Sequence, residues 1–354
     1  MVVFFCWPLI AVRLAIRHYV LFGTVVKLEY GIGMFQQFTQ LLSLAWLEFI
    51  HPRYYYQYRL FDKTRMQKRS AYLFHRRNQS LFMALNGFVS GELINNKEKF
   101  AEFCLKNDLP TPKTLALFEN GNMAIKVAAE LWQKKDIVIK PINGHMGRDI
   151  QFGYAEGNGS YRYRGKTSTV EELLQQIALD SAGEPFLAQE RLYNHPELYP
   201  LSNEYLASIR IVTFLGQDNA LAFLAAYIGL PYDAITVSNE GRDFPLDLAT
   251  GKILARPLHP IMPDYKKELT EASQLAVGNT LPYWQQAKEL VCKAHRLMPD
   301  YFSLGWDIAI TANGPVILET NIGWDTDSIQ YFHDLPLGDT EFVRCAVARL
   351  NSLK

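Results

Sequence analysis

Two carboxylates and an amide toward the C-terminal end of the chain have the spacing of a cation site. Asp307 lies in the run Trp306-Asp307-Ile308-Ala309-Ile310-Thr311, and Glu319 and Asn321 lie in Val316-Ile317-Leu318-Glu319-Thr320-Asn321. Both runs are rich in β-formers, and Ala312-Asn313-Gly314 between them carries turn chemistry. A carboxylate in a half-buried strand is costly unless a positive group meets it. Turn length decides whether the two acids cooperate. A two-residue Asn313-Gly314 turn pairs Asp307 with Thr320 and sets the acids on opposite faces. A three-residue loop with Gly314 left-handed pairs Asp307 with Glu319 on one face, and Asn321 then points the same way. The second arrangement suits Mg²⁺, which takes oxygen ligands and shares them with phosphates. The competing arrangement is a hairpin with solvated acids on its outer face.

Cations that could meet a phosphate lie earlier. Lys140 ends the apolar run Asp136-Ile137-Val138-Ile139-Lys140-Pro141, four residues before Gly144-His145-Met146-Gly147-Arg148. An ammonium at a strand end and glycines that let backbone N–H groups approach oxygen make a polyphosphate grip. The order is strand, glycine loop, strand. The loop opens no helix, so the P-loop and dinucleotide fingerprints do not apply. Gln189-Glu190-Arg191-Leu192 follows a further strand and could offer backbone edges to a purine, with Glu190 or Glu197 reaching amino or hydroxyl groups. Its alternative is a surface loop. Arg210, inside the apolar Ile209–Leu215, must snorkel or meet an anion. Phosphate cations and metal acids in one chain are what a metal-nucleotide site requires.

The elements that must hold these groups are legible in outline. With 354 residues, 49% hydrophobic and 20% charged, the chain is globular and long enough for two or three domains. Strands are expected at Asp136–Pro141, Ile150–Phe152, Pro185–Leu192, Leu206–Leu215, Ala220–Ile228 and Gly251–Leu254. Helices are expected at Asn95–Asn107, Val170–Leu179, Tyr283–Leu297 and Asp339–Leu350. Residues 1–50 read as helical with a break at Gly31-Ile32-Gly33. The division expected is a basic helical region over 1–90, a glycine-loop lobe over 91–200 and a hairpin lobe over 201–354.

Net charge is zero, yet residues 1–90 hold 11 Lys and Arg against 3 Asp and Glu. That segment either faces an anionic partner, such as a membrane surface, or pairs with the acidic remainder. No stretch reaches the roughly 18 charge-free apolar residues of a spanning helix. Arg13, Arg17 and Lys27 interrupt the apolar N-terminus, which fits an amphipathic segment lying on a membrane or docked on the body. Tyr54–Leu60 is aromatic and basic, but no nucleic-acid signature follows it, so a structural helix is expected and nucleic acid is not. The four cysteines (Cys6, Cys104, Cys292 and Cys345) have no CxxC spacing, which suits reduced thiols, a cytoplasmic setting and no zinc site.

The order of these segments resembles the ATP-grasp superfamily, and within it the sugar-transfer-associated members of polysaccharide gene clusters. The likeness rests on Pro52–Tyr56, Asn96-Lys97 with Leu109-Pro110-Thr111-Pro112, the Val138–Arg148 strand and loop, Ser208–Val212, Asp247–Gly251 and above all Leu304–Asp325. It implies an α+β fold of two lobes clamping ATP, behind an N-terminal helical extension. It implies that Lys97 and Lys140 contact phosphate and that Gly144–Gly147 close over it, with His145 and Arg148 at the loop tip. It implies that Gln189, Glu190 and Leu192 form the adenine hinge and that Glu197 holds the ribose. Arg210 is then the anion-stabilising arginine, and Asp307, Glu319 and Asn321 hold Mg²⁺. Thr320 stands where the subgroup often has glycine.

The activity so implied is an ATP- and Mg²⁺-dependent ligase that activates a carboxylate as an acyl phosphate and joins it to an amine, during surface polysaccharide synthesis. Phosphoryl transfer asks mainly for positioning and charge neutralisation, which this inventory supplies. Two other uses of the same grip are a nucleotide-responsive module docked on a membrane-bound glycosyltransferase and a sugar or small-molecule kinase. The acceptor is expected to meet the Tyr227–Arg242 region and the residues after Asn321; Trp324 is expected in the core.

Overall fold

Two alternating strand patterns, each met by one helix stripe, account for the body of the protein. In the computed structural model, residues 2–74, 78–87, 89, 91–126, 135–143, 149–156, 159–202, 205–231, 243–256 and 274–353 are described. The chain opens with helices α1 (Val2–Tyr30), α2 (Met34–Leu47), α3 (Pro52–Gln57) and α4 (Lys63–Gln67). Then come α5 (Asn78–Leu85), α6 (Glu92–Asn95) and α7 (Lys97–Lys106).

The first sheet is built from β1 (Thr114–Glu119), β2 (Asn122–Lys126), β3 (Ile137–Pro141), β4 (Gln151–Glu156), β5 (Ser160–Tyr163), β6 (Lys166–Thr169) and β7 (Phe186–Glu190). Its order is β2-β1-β7-β3-β4-β5-β6, antiparallel at each pairing. Ile137 and Ile139 of β3 face one way and pack on Leu173, Leu174 and Ile177 of α8 (Val170–Asp180). The period of two in the strand meets a stripe at i, i+1, i+4 on the helix. Lys140 therefore projects to the other side, away from α8.

The second sheet holds β8 (Ser208–Leu215), β9 (Leu221–Gly229), β10 (Asp243–Pro245), β11 (Ser303–Thr311) and β12 (Gly314–Asn321), in the order β10-β9-β8-β11-β12. The short α9 (Tyr199–Ser202) precedes it, and α10 (Trp284–Arg296) covers one face with Trp284, Ala287, Leu290, Val291 and Ala294. All nine residues of β11 are buried. Such a strand must be covered on both faces, so its Asp307 needs a partner. Helices α11 (Thr326–Phe332) and α12 (Glu341–Ser352) finish the chain.

Most expected elements appear. Gly251–Leu254 does not form a strand; only the isolated bridges Leu246–Ile253 and Lys252–Thr280 occur there. The local chemistry is a turn: the Thr250 N–H donates to Asp247 Oδ1, and Gly251 has φ +75° with Trp284 against it. A Cβ at Gly251 would come within 2.4 Å of that indole, so only glycine fits. Trp324 packs in the core against Phe82 and Phe342, as expected. Cys104, Cys292 and Cys345 are free thiols.

The basic N-terminal region divides in two. Its later cations meet acids of the body: Arg53 with Asp327, Arg59 and Arg65 with Asp334, Lys68 with Asp339. The Tyr58 hydroxyl donates to Asp327 Oδ1 at 2.8 Å and Tyr54 to Oδ2 at 3.2 Å, so one buried carboxylate ties α3 to α11. Asp327→Ala should lower stability by about 2–4 kcal/mol, because two buried hydroxyls and one guanidinium lose their acceptor. A urea midpoint shift equivalent to less than about 0.5 kcal/mol would contradict that joint. The earlier cations Arg13, Arg17 and Lys27 lie on α1. Trp7–Tyr30 of this helix is long and apolar enough to cross a membrane by length and composition alone, with mean hydropathy 1.6.

Candidate functional site

Sheet register sets the site. Tyr227 on β9 lies opposite Arg210 on β8, Arg210 opposite Asp307 on β11, and Asp307 opposite Glu319 on β12. Directly opposed residues share a face, so four side chains form one row across four strands, on the face away from α10. Asn321 is two residues past Glu319 on that same face.

The pairing of Asp307 with Glu319 was expected, but the turn that produces it was not. The turn is Ala312-Asn313, with Thr311 opposite Gly314, rather than the three-residue loop. Continued unchanged, this register would set Asp307 opposite Leu318. A bulge at Leu318 restores the Glu319 pairing. Gly314 does take a positive φ, of 111°. The bulge has no sequence signature, which is why turn counting missed it.

One cation and two adjacent carboxylates follow Tyr227 along the row. Arg210 Nε donates to Asp307 Oδ1 at 2.5 Å, and its terminal nitrogen donates to Oδ2 at 3.0 Å, a bidentate pair. Asn321 Nδ2 lies 3.4 Å from Asp307 Oδ2. Burial raises the Asp307 carboxyl above its ordinary value, with Arg210 opposing and Glu319 adding to the rise. Glu319 is also pushed up by burial, but Lys97 and Lys140 outweigh it and hold this carboxyl below its usual range.

Lys97 and Lys140 reach Glu319 from the other sheet's side. Asn96 caps α7 by accepting from the Glu98 and Lys99 N–H groups, which fixes Lys97 in the first helical turn. The Lys97 N–H lies 3.4 Å from the Ile142 carbonyl, just past the end of β3, so both ammoniums enter one space. Burial lowers Lys140 to about 8, Glu319 opposing and Lys97 reinforcing the drop. Lys97 is lowered in the same way, with Glu319 and Glu184 opposing. Two lysines held near each other at a carboxylate are relieved when a polyanion arrives.

Mg²⁺ fits this donor set by chemistry: two adjacent carboxylates and an amide oxygen beside cations suited to phosphate. Among the described residues no group of three or more His, Cys, Asp or Glu stands together, so the set depends on Asn321 as its third member.

The remaining expected residues are placed unevenly. Gln189 pairs with Val138, sharing the Lys140 face, and its amide donates to the Pro112 carbonyl at 3.3 Å. Glu190 pairs with Ile137 on the opposite face, where it meets Lys135 at 2.6 Å and borders a cavity of about 330 Å³ with Arg191 and Tyr193. Leu192 is half-buried, and Glu197 is exposed on a 3₁₀ turn. That turn is anchored by the His195 N–H to the Ile310 carbonyl at 2.7 Å. Gly144, His145, Gly147 and Arg148 lie outside the described residues, as do residues 232–242 of the expected acceptor region.

Two site residues, Asp243 and Arg256, were missed from the sequence, and Tyr227 was expected only as the first residue of the acceptor region. Tyr227 reads as one more apolar strand residue, and Asp243 and Arg256 flank stretches with no periodicity. Asp243 lies two residues from Pro245, which pairs with Tyr227, and so belongs to the same face. Among the described residues, Asp243 Oδ1 and Arg256 Nε are buried without hydrogen-bond partners, and an Arg256 nitrogen donates to the Asp243 carbonyl at 3.1 Å. Burial lifts the Asp243 carboxyl to about 7, with Arg256 and Arg210 opposing. A carboxyl raised in the folded state keeps a proton that the unfolded chain releases near pH 4, so stability falls as pH rises from about 4 to 7 and levels off above. Asp243→Asn should flatten that slope, on the order of 2 kcal/mol across the window. Thermal melts at stepped pH read it, and an unchanged slope would contradict the buried carboxyl.

Comparison with known proteins adds the family. A model described as sugar-transfer associated ATP-grasp matches residues 76–334. Among solved structures, D-alanyl-alanine synthetase A from Vibrio cholerae O1 biovar eltor is 12% identical, with 73% of this chain and 66% of that one covered and a TM-score of 0.41. D-alanine–D-alanine ligase from Helicobacter pylori is 14% identical, with 74% and 61% covered and a TM-score of 0.39. The ATP-grasp ligase PsnB, solved with a minimal precursor variant, Mg and ADP, is 13% identical, with 75% and 59% covered and a TM-score of 0.36. The chain thus spans about two thirds or less of these structures' lengths, and no curated protein matches it. With its model covering well over half of the sequence, the chain belongs to the sugar-transfer associated ATP-grasp family, an α+β ATP-grasp fold preceded here by the helices α1 and α2.

Proposed function

We propose that the protein is an ATP- and Mg²⁺-dependent ligase that joins a carboxylate to an amine in surface polysaccharide synthesis, working on the cytoplasmic side of the membrane. The carrying observation is the row Arg210–Asp307–Glu319 with Lys97 and Lys140 at its Glu319 end. Cations for phosphate meet acids for a metal at Glu319, which an ion-pair network of purely structural use does not require. The family name supports the polysaccharide setting.

In this reading a substrate carboxylate oxygen attacks the γ-phosphorus and ADP leaves. An amine then attacks the resulting acyl phosphate, phosphate departs and the amine gives up a proton. Lys97 and Lys140 neutralise phosphate oxygens, and Arg210 steadies the anionic carboxylate end. Asp307, Glu319 and Asn321 would hold Mg²⁺, which supplies charge neutralisation at the phosphate oxygens when bound. Gln189 and Leu192 border the adenine and Glu197 the ribose. Glu190 contributes there through its backbone, since its carboxylate meets Lys135. Asp243 Oδ1 and Arg256 Nε, buried without hydrogen-bond partners among the described residues, would meet the second substrate.

The test incubates the protein with ATP and pools of amino acids and uronic acids. The ligase reading predicts acceptor-dependent release of ADP and phosphate, with one oxygen of an ¹⁸O-labelled carboxylate recovered in phosphate. ADP without free phosphate would instead indicate a kinase, and tight ATP binding without turnover a non-catalytic module.

A further inference from the structure

The side of α1 turned away from the protein is both apolar and cationic. At about 100° per residue, Trp7, Ala11, Ala15, Phe22 and Val26 fall on one stripe. That stripe is buried against α2 and α3. Leu9, Ile16, Val20 and Leu28 fall on the opposite stripe and are 77%, 47%, 71% and 78% exposed. Arg13, Arg17 and Lys27 share that outer stripe and are exposed, and no described carboxylate pairs with them. The helix carries a single acid, Glu29, in its last turn.

Helix α2 extends the surface with Phe35 at 82%, Leu47 at 77% and Trp46 at 45% exposure. The Trp46 indole N–H donates to the Pro8 carbonyl at 3.2 Å, which brings it beside Leu9 and joins the two exposed faces at that end. A soluble monomer does not leave so many large apolar groups together in water.

Charge selects the occupant. The later cations Arg53, Arg59, Arg65 and Lys68 are each matched by a carboxylate of the body, whereas the three on the outer stripe are not. A second copy docked face to face would set those cations against their own equivalents. A spanning arrangement would need α1 free on all sides, yet it is held lengthwise from the Trp7 indole, which donates to the Ala45 carbonyl at 2.7 Å, to Val26. Apolar side chains interleaved with unmatched cations on a helix lying flat match the headgroup–acyl boundary of an anionic bilayer.

We propose that the α1–α2 hairpin docks in the plane of an anionic lipid surface. The surface is separate from the nucleotide site, so the proposal stands whatever reaction that site performs.

Flotation of the full chain with vesicles tests it, using phosphatidylcholine alone and phosphatidylcholine mixed with phosphatidylglycerol. Binding should require the anionic lipid and weaken with salt. Arg13→Gln with Arg17→Gln should weaken it about 25-fold, roughly fivefold per cation. Val20→Asp with Leu28→Asp should abolish it, both variants keeping the parent melting temperature. Failure to float, or equal binding to neutral and anionic vesicles, would overturn the proposal. So would a parent dimer, seen by sedimentation equilibrium, that Val20→Asp with Leu28→Asp dissociates while no lipid is bound. Should the aspartate pair not fold, the glutamine pair alone decides, since unchanged binding there removes the electrostatic argument.

Discussion

Glu319→Ala should reduce ATP turnover roughly a thousandfold, the scale of losing a group that holds the metal and its charge at transferring phosphate. Glu319 interacts with both lysines and with Asp307 at once. Its removal deletes a proposed metal ligand and leaves Lys97 and Lys140 repelling each other without a counter-charge. Glu319→Gln keeps the size and an oxygen while removing the charge, so it should lose nearly as much turnover with a smaller change in melting temperature. Steady-state ADP release at saturating Mg²⁺, with circular dichroism melts alongside, checks both. Turnover within tenfold of the parent in the glutamine variant would contradict the assignment of Glu319.

Arg210→Met should destabilise the protein by about 3–5 kcal/mol, because it strands the buried Asp307 carboxylate that the guanidinium holds with two hydrogen bonds. Asp307→Leu should do the same by stranding the guanidinium. The double variant should recover most of the loss, since an apolar pair of similar volume can replace a buried ion pair at little cost. Activity should not recover with it, because both the proposed anion-holding group and a proposed metal ligand are gone. Urea midpoints for the four proteins give the coupling. Additive losses, or single losses below about 1 kcal/mol, would show that the pair is not the buried link described.

The parts of the fold with strict periodicity were legible in the sequence. Ile137 and Ile139 on β3, the helix stripe of α10 and the nearly continuous apolar β11 state which faces are dry. Hairpins β1–β2 and β5–β6 were missed because β2, β5 and β6 are short: in β5 Tyr161 and Tyr163 reach the core between polar residues, and β6 is polar and largely exposed. At the site, residue type alone marked Asp307, Glu319, Lys140 and Arg210, since each is a charge inside an apolar strand. Register was the harder part. The bulge at Leu318 lets a two-residue turn give the pairing expected of three, and a backbone bulge leaves no trace in side-chain type. Asp243 and Arg256 were hidden because they flank stretches with no periodicity and meet each other across 13 residues of chain, which no local pattern announces.

The surface proposed for the membrane and the site proposed for the nucleotide are different parts of one chain. The outer stripe of α1 belongs to the N-terminal hairpin, while the row from Tyr227 to Glu319 belongs to the second sheet. The α3–α11 joint at Asp327 links the two. Changes confined to the outer stripe should therefore alter location without altering turnover in detergent-free solution.

The central claim is that Mg²⁺ and a triphosphate meet at the Asp307–Glu319 pair between Lys97 and Lys140. A crystal structure with Mg²⁺ and a non-hydrolysable ATP analogue tests it most directly. The expected result is density for a metal bonded to Asp307, Glu319 and Asn321 and to phosphate oxygens, with both lysine ammoniums on those phosphates. A triphosphate bound elsewhere, or one lying there with no metal at the two carboxylates, would contradict it.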